Sequence, residues 1–424
     1  MKVRIAPSPL QGEIQAIASK SAAHRLLICA ALADAPTRIV LANSSLDIEA
    51  TADCLRALGA VITPGTDHWQ VSPIHFSPRP VNEVVRLDCR ESGSTLRFLL
   101  PLATALYAQT AFTGAGRLPE RPLVALTQAM QQHGVRFSAE KLPLTTQGRL
   151  QAGTYVLPGN ISSQYISGLL MALPFLPGES RIVLSSAAES AAYIDMTLAA
   201  LACFAVHSEK NADGFTLSGG QRYRAPRQVE VEGDWSNAAF FLVAGALGAT
   251  ALTVHGLSLD SAQGDKAIVD FLRGFGATVV VDAHTGSVTV SPGKLRGCHI
   301  DIGETPDLMP ILAVLAACAE GETHFSNAAR LRLKESDRIH TCAQLINSLG
   351  GSAEALDDGL IVRGTALQGG TVCGYNDHRI VMAAAIAAGR CTADVQVTDA
   401  DAVNKSYPGF YADFSALGGH VHVI

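Results

Sequence analysis

One short pattern recurs along this chain and limits what it can fold into: the tail of an amphipathic helix, a turn of small residues, then a β-branched strand. It reads CLRALGAVI around Gly59, AMQQHGVRF around Gly134 and FLRGFGATVVV around Gly276, then QLINSLGGSAEAL around Gly350 and FSALGGHVHVI around Gly418. A degraded copy, LAALACFAVHS, carries Ala205 where the glycine is expected. Successive copies lie roughly 70 residues apart, a spacing that marks repeated units, each too small to bury its apolar face alone. The glycine suits the left-handed residue that closes a helix, and the residues after it begin a strand. Within the units, helix-like segments alternate with short strands, as in SKSAAHRLLICAALA, TRIVLANS and CLRALGAVI. The pattern predicts an α/β protein of six units. A chain of 424 residues exceeds one ordinary core, so two domains of three units each are expected. A crossing between them is expected at VEVEGDW, near residues 230 to 233, where a strand gives way to a long apolar helix.

Composition removes several classes of partner. The net charge is −6 and Lys and Arg form no run, which argues against nucleic acid and against an anionic membrane. Nine cysteines are scattered without a CxxC pair and read as small core residues in a reducing compartment. The opening MKVRIAPSPLQGEIQ has no apolar centre, so no signal peptide is expected. The apolar stretch NAAFFLVAGALGATALTVHGL, from Asn237, is about long enough to cross a bilayer. Its Ala and Gly content and the polar DWSN before it favour a buried helix followed by a strand. A soluble, cytoplasmic protein is expected.

The charges that remain are oddly placed. Only 17% of residues are charged, yet LKESDR packs Lys334, Glu335, Asp337 and Arg338 into five positions. On a helix Lys334 would stand over Arg338 at i and i+4, with Glu335 meeting Arg338 at i+3. A single cluster of this kind reads as a solvated face. Others recur, however, at the heads of apolar helices. Lys20 and Arg25 lie in SKSAAHR, Arg97 in ESGSTLR, Arg117 and Arg121 in GRLPERP, His378 and Arg379 in YNDHR, and Lys405 in NKSYPGF. A helix start carries partial positive charge and favours acidic residues. Repeated cations there make sense where an anion is held among them and by backbone N–H groups. A site for a polyanionic small molecule is expected, with equivalent helix starts facing one side of each domain. In NISSQYISGLL, Ser162 is an N-cap or a phosphate ligand, and Asp307 in ETPDLMP is a cap or a functional acid.

Taken together and in order, SKSAAHR, ESGSTLRF, RLPERP, SSQ, SAAYID, PDLMP, LKESDR, YNDHR and Lys405 resemble the 5-enolpyruvylshikimate-3-phosphate synthase family over essentially the whole chain. LKESDR and YNDHR are the specific motifs; SSQ or PD alone would say little. The resemblance implies two domains of three βαβαββ units each, an inverse α/β-barrel-like arrangement, closing over substrates bound in the cleft between them. It implies one discontinuous domain, 1–19 plus 232–424, with the acid–base and donor-binding residues, and another, 20–231, with most ligands of shikimate 3-phosphate. For that acceptor it implies Lys20, Ser21, Arg25, Ser162, Ser163, Gln164, Ser190, Tyr193, Asp307 and Lys334. For the donor, phosphoenolpyruvate, it implies Lys20, Gly93, Arg121, Gln164, Arg338, His378, Arg379 and Lys405. Asp307 and Glu335 would be the acid–base pair, with Lys20 at the reacting centre. No cofactor, metal, nucleic acid or membrane partner is implied, and a monomer is expected.

The sequence departs from the family pattern at Ala18, at Leu46 in the usually acidic pair Leu46-Asp47, at Glu91, at Ala191 and Ala192, and at Arg330. Each puts a secondary contact in question, Arg330 most of all. Two other readings fit the repeats. A UDP-N-acetylglucosamine enolpyruvyltransferase would share the fold and donor but usually carries a reactive Cys in the loop that here reads GAGRLPERP. A non-enzymatic six-repeat ring around DNA would need a basic inner surface without carboxylates among its cations.

Overall fold

The computed structural model describes residues 1–75 and 84–424. The recurring turn keeps one geometry throughout: Gly59, Gly134, Gly276, Gly350 and Gly418 leave their helices at φ between +80 and +108. Ala205, in the degraded copy, adopts the same left-handed backbone at φ +56, so the turn outlived the loss of its glycine.

Among the described residues six four-stranded sheets follow, one per repeat. The repeat over residues 154 to 217 shows the plan. Strand Thr154–Leu157 leads through helix Ser163–Ala172 to strand Ser180–Leu184, and helix Ala191–Cys203 leads to the hairpin Glu209–Asn211 and Gly214–Leu217. The first two strands pair in parallel, with Thr154 opposite Arg181. The last strand inserts antiparallel against the second, with Ser180 opposite Leu217, giving the order first, second, fourth, third. This is the expected βαβαββ unit. The repeats over 85 to 147 and 299 to 363 are built the same way. The other three sheets are completed by distant segments. Gln228–Glu230 joins Thr37–Val40, and Gly12–Gln15 joins Leu252–His255. Val3–Ala6 lies between Val395–Val397 and His420–Val423.

The chain groups into two compact units, residues 20–231 and residues 1–19 with 232–424. Each is organised round three inner helices, the first helix of each repeat. In unit 20–231 these are Lys20–Leu32, Gly93–Leu106 and Ser163–Ala172; in the other they are Trp235–Leu247, Met309–Ala317 and His378–Ala388. The last three are buried at every position, as their nearly all-apolar composition requires. The outer helices are two-faced: Arg338–Ser348 buries Ile339, Cys342 and Ile346 and exposes His340. The apolar stretch from Asn237 resolves into the end of an inner helix and the strand Leu252–His255, as expected. Among the described residues no helix is long and apolar enough to cross a membrane. All nine cysteines are free, but Cys203 and Cys373 are exposed rather than core.

Two local expectations fail. Residues 334–337 are not helical: Lys334 ends the 3-10 helix Ala329–Leu333 in extended backbone, and Asp337 caps the next helix through the His340 N–H. Asp is a strong N-cap, and the cap stops the helix short of Lys334. Lys405 likewise does not head a helix; it closes the 3-10 helix Ala400–Lys405, five residues before Phe410–Ala416.

Candidate active site

In each unit candidate side chains lie at the starts of the inner helices and in segments that precede or open the outer ones. In unit 20–231 none of the three inner helices has an acidic residue in its first turn, so their positive ends are not neutralised locally. Lys20 opens the first and pairs with Asp47 at 3.0 Å. Arg25, one turn on, is buried and fully engaged by neutral acceptors. It donates to Thr197 Oγ1 at 2.8 Å and to the carbonyls of Ser21 at 2.6 Å and Tyr193 at 2.8 Å. Its guanidinium lies 4.9 Å from the centre of the Phe98 ring. Burial pulls its pKa down to about 10, against smaller upward contributions from Tyr193 and Cys29.

The second and third inner helices meet through Gln164. Its Oε1 accepts from Arg97 at 3.2 Å and its Nε2 donates to Ser94 at 3.0 Å. Arg97 also donates to the carbonyls of Gly93 and Pro122. Gly93 lies under two guanidinium groups: a Cβ there would come within 2.5 Å of Nη1 of both Arg97 and Arg121. Only a residue without a side chain lets them approach so closely. Ser162 caps the third helix, accepting from the Gln164 N–H at 3.3 Å, and Ser163 follows, buried. Ser190 is buried with φ +54, and its carbonyl accepts from the Tyr193 N–H at 3.1 Å.

In the other unit the same helix starts are knitted by charge. Arg338 is 1% exposed and touches three carboxylates. It donates to Asp377 from Nε at 2.9 Å and from Nη2 at 3.2 Å, to Asp307 at 2.6 Å and to Glu335 at 2.8 Å. Lys334 approaches Asp307 at 3.4 Å. Arg379 reaches Asp307 Oδ2 at 3.2 Å, the Asp307 carbonyl at 3.3 Å and Ser236 Oγ at 2.8 Å. Asp377 caps the third helix by accepting from the Arg379 N–H at 3.0 Å. Next to it His378 is 1% exposed. Lys405 donates to the Asn376 carbonyl at 2.6 Å, just ahead of that cap. The arrangement therefore ties residues of all three inner helix starts, Ser236, Asp307 and Arg379, into one network with the LKESDR loop.

The electrostatics follow from the contacts. Burial lowers the Arg338 cation's stability, but Asp377, Glu335 and Asp307 outweigh it and hold the pKa well above the usual value. Lys334 goes the other way: burial pulls it down to about 8 although Asp307 and Glu335 favour its charge. Asp307 does not act as a helix cap, the simpler alternative; its carboxylate is spent on Lys334, Arg338 and Arg379. Among the described residues no group of three or more His, Cys, Asp or Glu is placed to hold a metal ion.

Asp377, Arg97, Asp47, Ser236 and Asp265, which accepts from Ser236, were not among the expected site residues. Asp377 was visible inside YNDHR but had no place, and Arg97 in ESGSTLR was counted among the helix-head cations without a ligand role of its own. Asp47 stood in the Leu46-Asp47 departure and keeps the acidic partner of Lys20. Ser236 and Asp265 had no local signal. Arg330, the departure most in question, donates from its guanidinium to the Gly303 carbonyl.

The fold is that of the enolpyruvyl transferases. The enolpyruvyl transferase NikO from Streptomyces tendae superposes with a TM-score of 0.80 at 18% identity, covering 99% of this chain and 98% of that one. An EPSP synthase from Acinetobacter baumannii superposes with a TM-score of 0.82 at 24% identity over 100% of both chains. Sequence narrows the class. The family model for EPSP synthase (3-phosphoshikimate 1-carboxyvinyltransferase) matches residues 5–414, and this chain belongs to that family. The 3-phosphoshikimate 1-carboxyvinyltransferase of Clostridium kluyveri is 40% identical over 425 residues, 99% of this chain and 98% of that one. That of Clostridium novyi is 41% identical over 427 residues, 98% and 97% of the two chains.

Proposed function

We propose that this chain transfers the enolpyruvyl group of phosphoenolpyruvate to the 5-hydroxyl of shikimate 3-phosphate and releases phosphate. The observation that carries the proposal is the pair of carboxylates Asp307 and Glu335 held on one buried guanidinium, Arg338, with Lys334 and Arg379 beside them. The reaction needs one group to give a proton to the donor's methylene carbon and later take one back, and another to accept the proton of the attacking hydroxyl. Asp307 and Glu335 are assigned these two roles, with Lys20 as the third catalytic residue. The hydroxyl oxygen bonds to C2 as C3 is protonated. The tetrahedral intermediate then expels phosphate as a proton leaves C3, restoring the double bond. Fixed cations hold the anions of both substrates through these steps without reorganising.

The acceptor is bound by Lys20, Ser21, Arg25, Ser162, Ser163, Gln164, Ser190, Tyr193 and Lys334. The donor is bound by Lys20, the backbone at Gly93, Arg121, Gln164, Arg338, His378, Arg379 and Lys405. The enzyme works as a cytoplasmic monomer without a cofactor. The experiment is phosphate release from phosphoenolpyruvate with shikimate 3-phosphate and UDP-N-acetylglucosamine compared as acceptors. Release with the first alone is expected; release with the second alone moves the chain to the sister activity, and release with neither removes the proposal.

A further inference from the structure

Behind Arg379 stands a carboxylate that the proposed chemistry does not use. Asp265 sits in the 3-10 helix Gly264–Ala267, only 3% exposed, and accepts a hydrogen bond from Ser236 Oγ. The Ser236 hydroxyl has one proton, and it goes to Asp265; its lone pair is thereby turned to accept from Arg379 Nη2 at 2.8 Å. The same Nη2 donates to Asp307 Oδ2 at 3.2 Å. One guanidinium nitrogen is thus shared between an acid of the reacting centre on one side and an anchored hydroxyl on the other.

The anchor is itself fixed. Gln263 Oε1 accepts from the Trp235 N–H at 3.1 Å and from Ser19 Oγ at 3.3 Å, and its Nε2 donates to the Gly233 carbonyl at 2.8 Å. These bonds clamp the loop that carries Asp265 to the start of the helix that carries Ser236. Arg379 is the cation facing Asp265, and Asp307 is the second carboxylate that bears on it. Burial, with Asp307 second, pushes the Asp265 carboxyl up to about 6, so it is mostly ionised at neutral pH and sensitive to the charge beside it.

We infer that Asp265 is a positioning residue: acting through Ser236, it holds Arg379 in place for the donor and keeps that guanidinium from collapsing wholly onto Asp307. The inference rests on the reading above, in which Arg379 binds phosphoenolpyruvate. Without Asp265 the Ser236 hydroxyl is free to rotate and Arg379 loses both its anchor and its distant counter-charge. Asp307 then becomes its main partner, which weakens donor binding and leaves the acceptor untouched.

The test measures kcat and both KM values in the wild-type chain, Asp265→Asn, Ser236→Ala and the double variant, with melting temperature alongside. Expected for each single change is a rise of about tenfold in the KM for phosphoenolpyruvate, the scale for groups that orient a ligand from behind. The KM for shikimate 3-phosphate should stay within about twofold, and the double variant should be no worse than the worse single one. Ser236→Ala, the smaller change, carries the test if Asp265→Asn does not fold. An unchanged donor KM overturns the inference alone. Equal rises in both KM values with a lower melting temperature also overturn it, because they mark a residue that merely supports the fold. A wild-type chain that releases no phosphate overturns the functional reading and the inference with it.

Discussion

Two arginines, one in each unit, are equally buried and oppositely compensated. Arg25 is 2% exposed and Arg338 1%. Arg25 is bonded to a hydroxyl and two carbonyls, and burial lowers its pKa to about 10. Arg338 is bonded to three carboxylates and is held well above the ordinary value. A desolvated cation given only neutral acceptors is short of negative charge, which a bound anion would supply. A cation bonded to three carboxylates already has its counter-charge, and it fixes the geometry of the acids around it. The difference separates a buried cation held by neutral groups from one held by acids.

The largest effect should come from emptying the two positions in parallel. Arg338→Met leaves Asp307, Glu335 and Asp377 facing one another, and about 3–5 kcal/mol of stability should be lost in thermal or denaturant unfolding. Arg25→Met should cost little stability, about 1 kcal/mol either way, and instead raise the KM for shikimate 3-phosphate. Equal destabilisation of both variants would erase the contrast. Next comes Glu335→Gln, which keeps a bond acceptor for Arg338 but removes the carboxylate: kcat should fall about a hundredfold with both KM values near wild type.

A smaller effect is expected of Gly93→Ala. The new methyl meets the ends of Arg97 and Arg121, flexible groups that can move, so the variant should fold and melt normally. Its KM for phosphoenolpyruvate should rise by about tenfold through the displaced cations; a lower melting point with unchanged KM would mean that Gly93 serves the helix start alone. The smallest effect concerns pH. Lys334 has a folded pKa lowered by burial to about 8, so its charge is lost as pH rises through that value. The KM for shikimate 3-phosphate should therefore climb several-fold, approaching about tenfold per unit, above pH 8. Lys334→Arg, which stays charged, should flatten that limb.

The repeat was legible because every unit needs the same left-handed exit from its outer helix, and five of six use Gly for it. Ala205 shows the limit: the conformation persists without the residue that advertises it. Cations near helix starts were legible because they contradict the helix dipole. Their counter-ions were not. Asp377 is an N-cap by sequence, and only packing brings it onto Arg338 thirty-nine positions away. Asp265 meets Ser236 across twenty-nine positions, with no periodicity to announce it. The helical reading of Lys334 to Arg338 failed because spacing alone cannot see the Asp337 cap, yet the Glu335 to Arg338 contact it named forms from the loop.

Strand Val3–Ala6 has a consequence for how the protein is made. It pairs with Val395–Val397 and His420–Val423, so it leaves the ribosome roughly four hundred residues before its partners and cannot join its sheet until they follow. At about 5–20 residues per second that wait is tens of seconds. Unit 20–231 has no such wait: its strand Gln228–Glu230 closes the sheet of Thr37–Val40 while residues 232–424 of the other unit are still to be translated. The nascent chain should therefore carry unit 20–231 with its sheets closed while strand Val3–Ala6 still waits for its partners, the form in which this protein is most open to a chaperone.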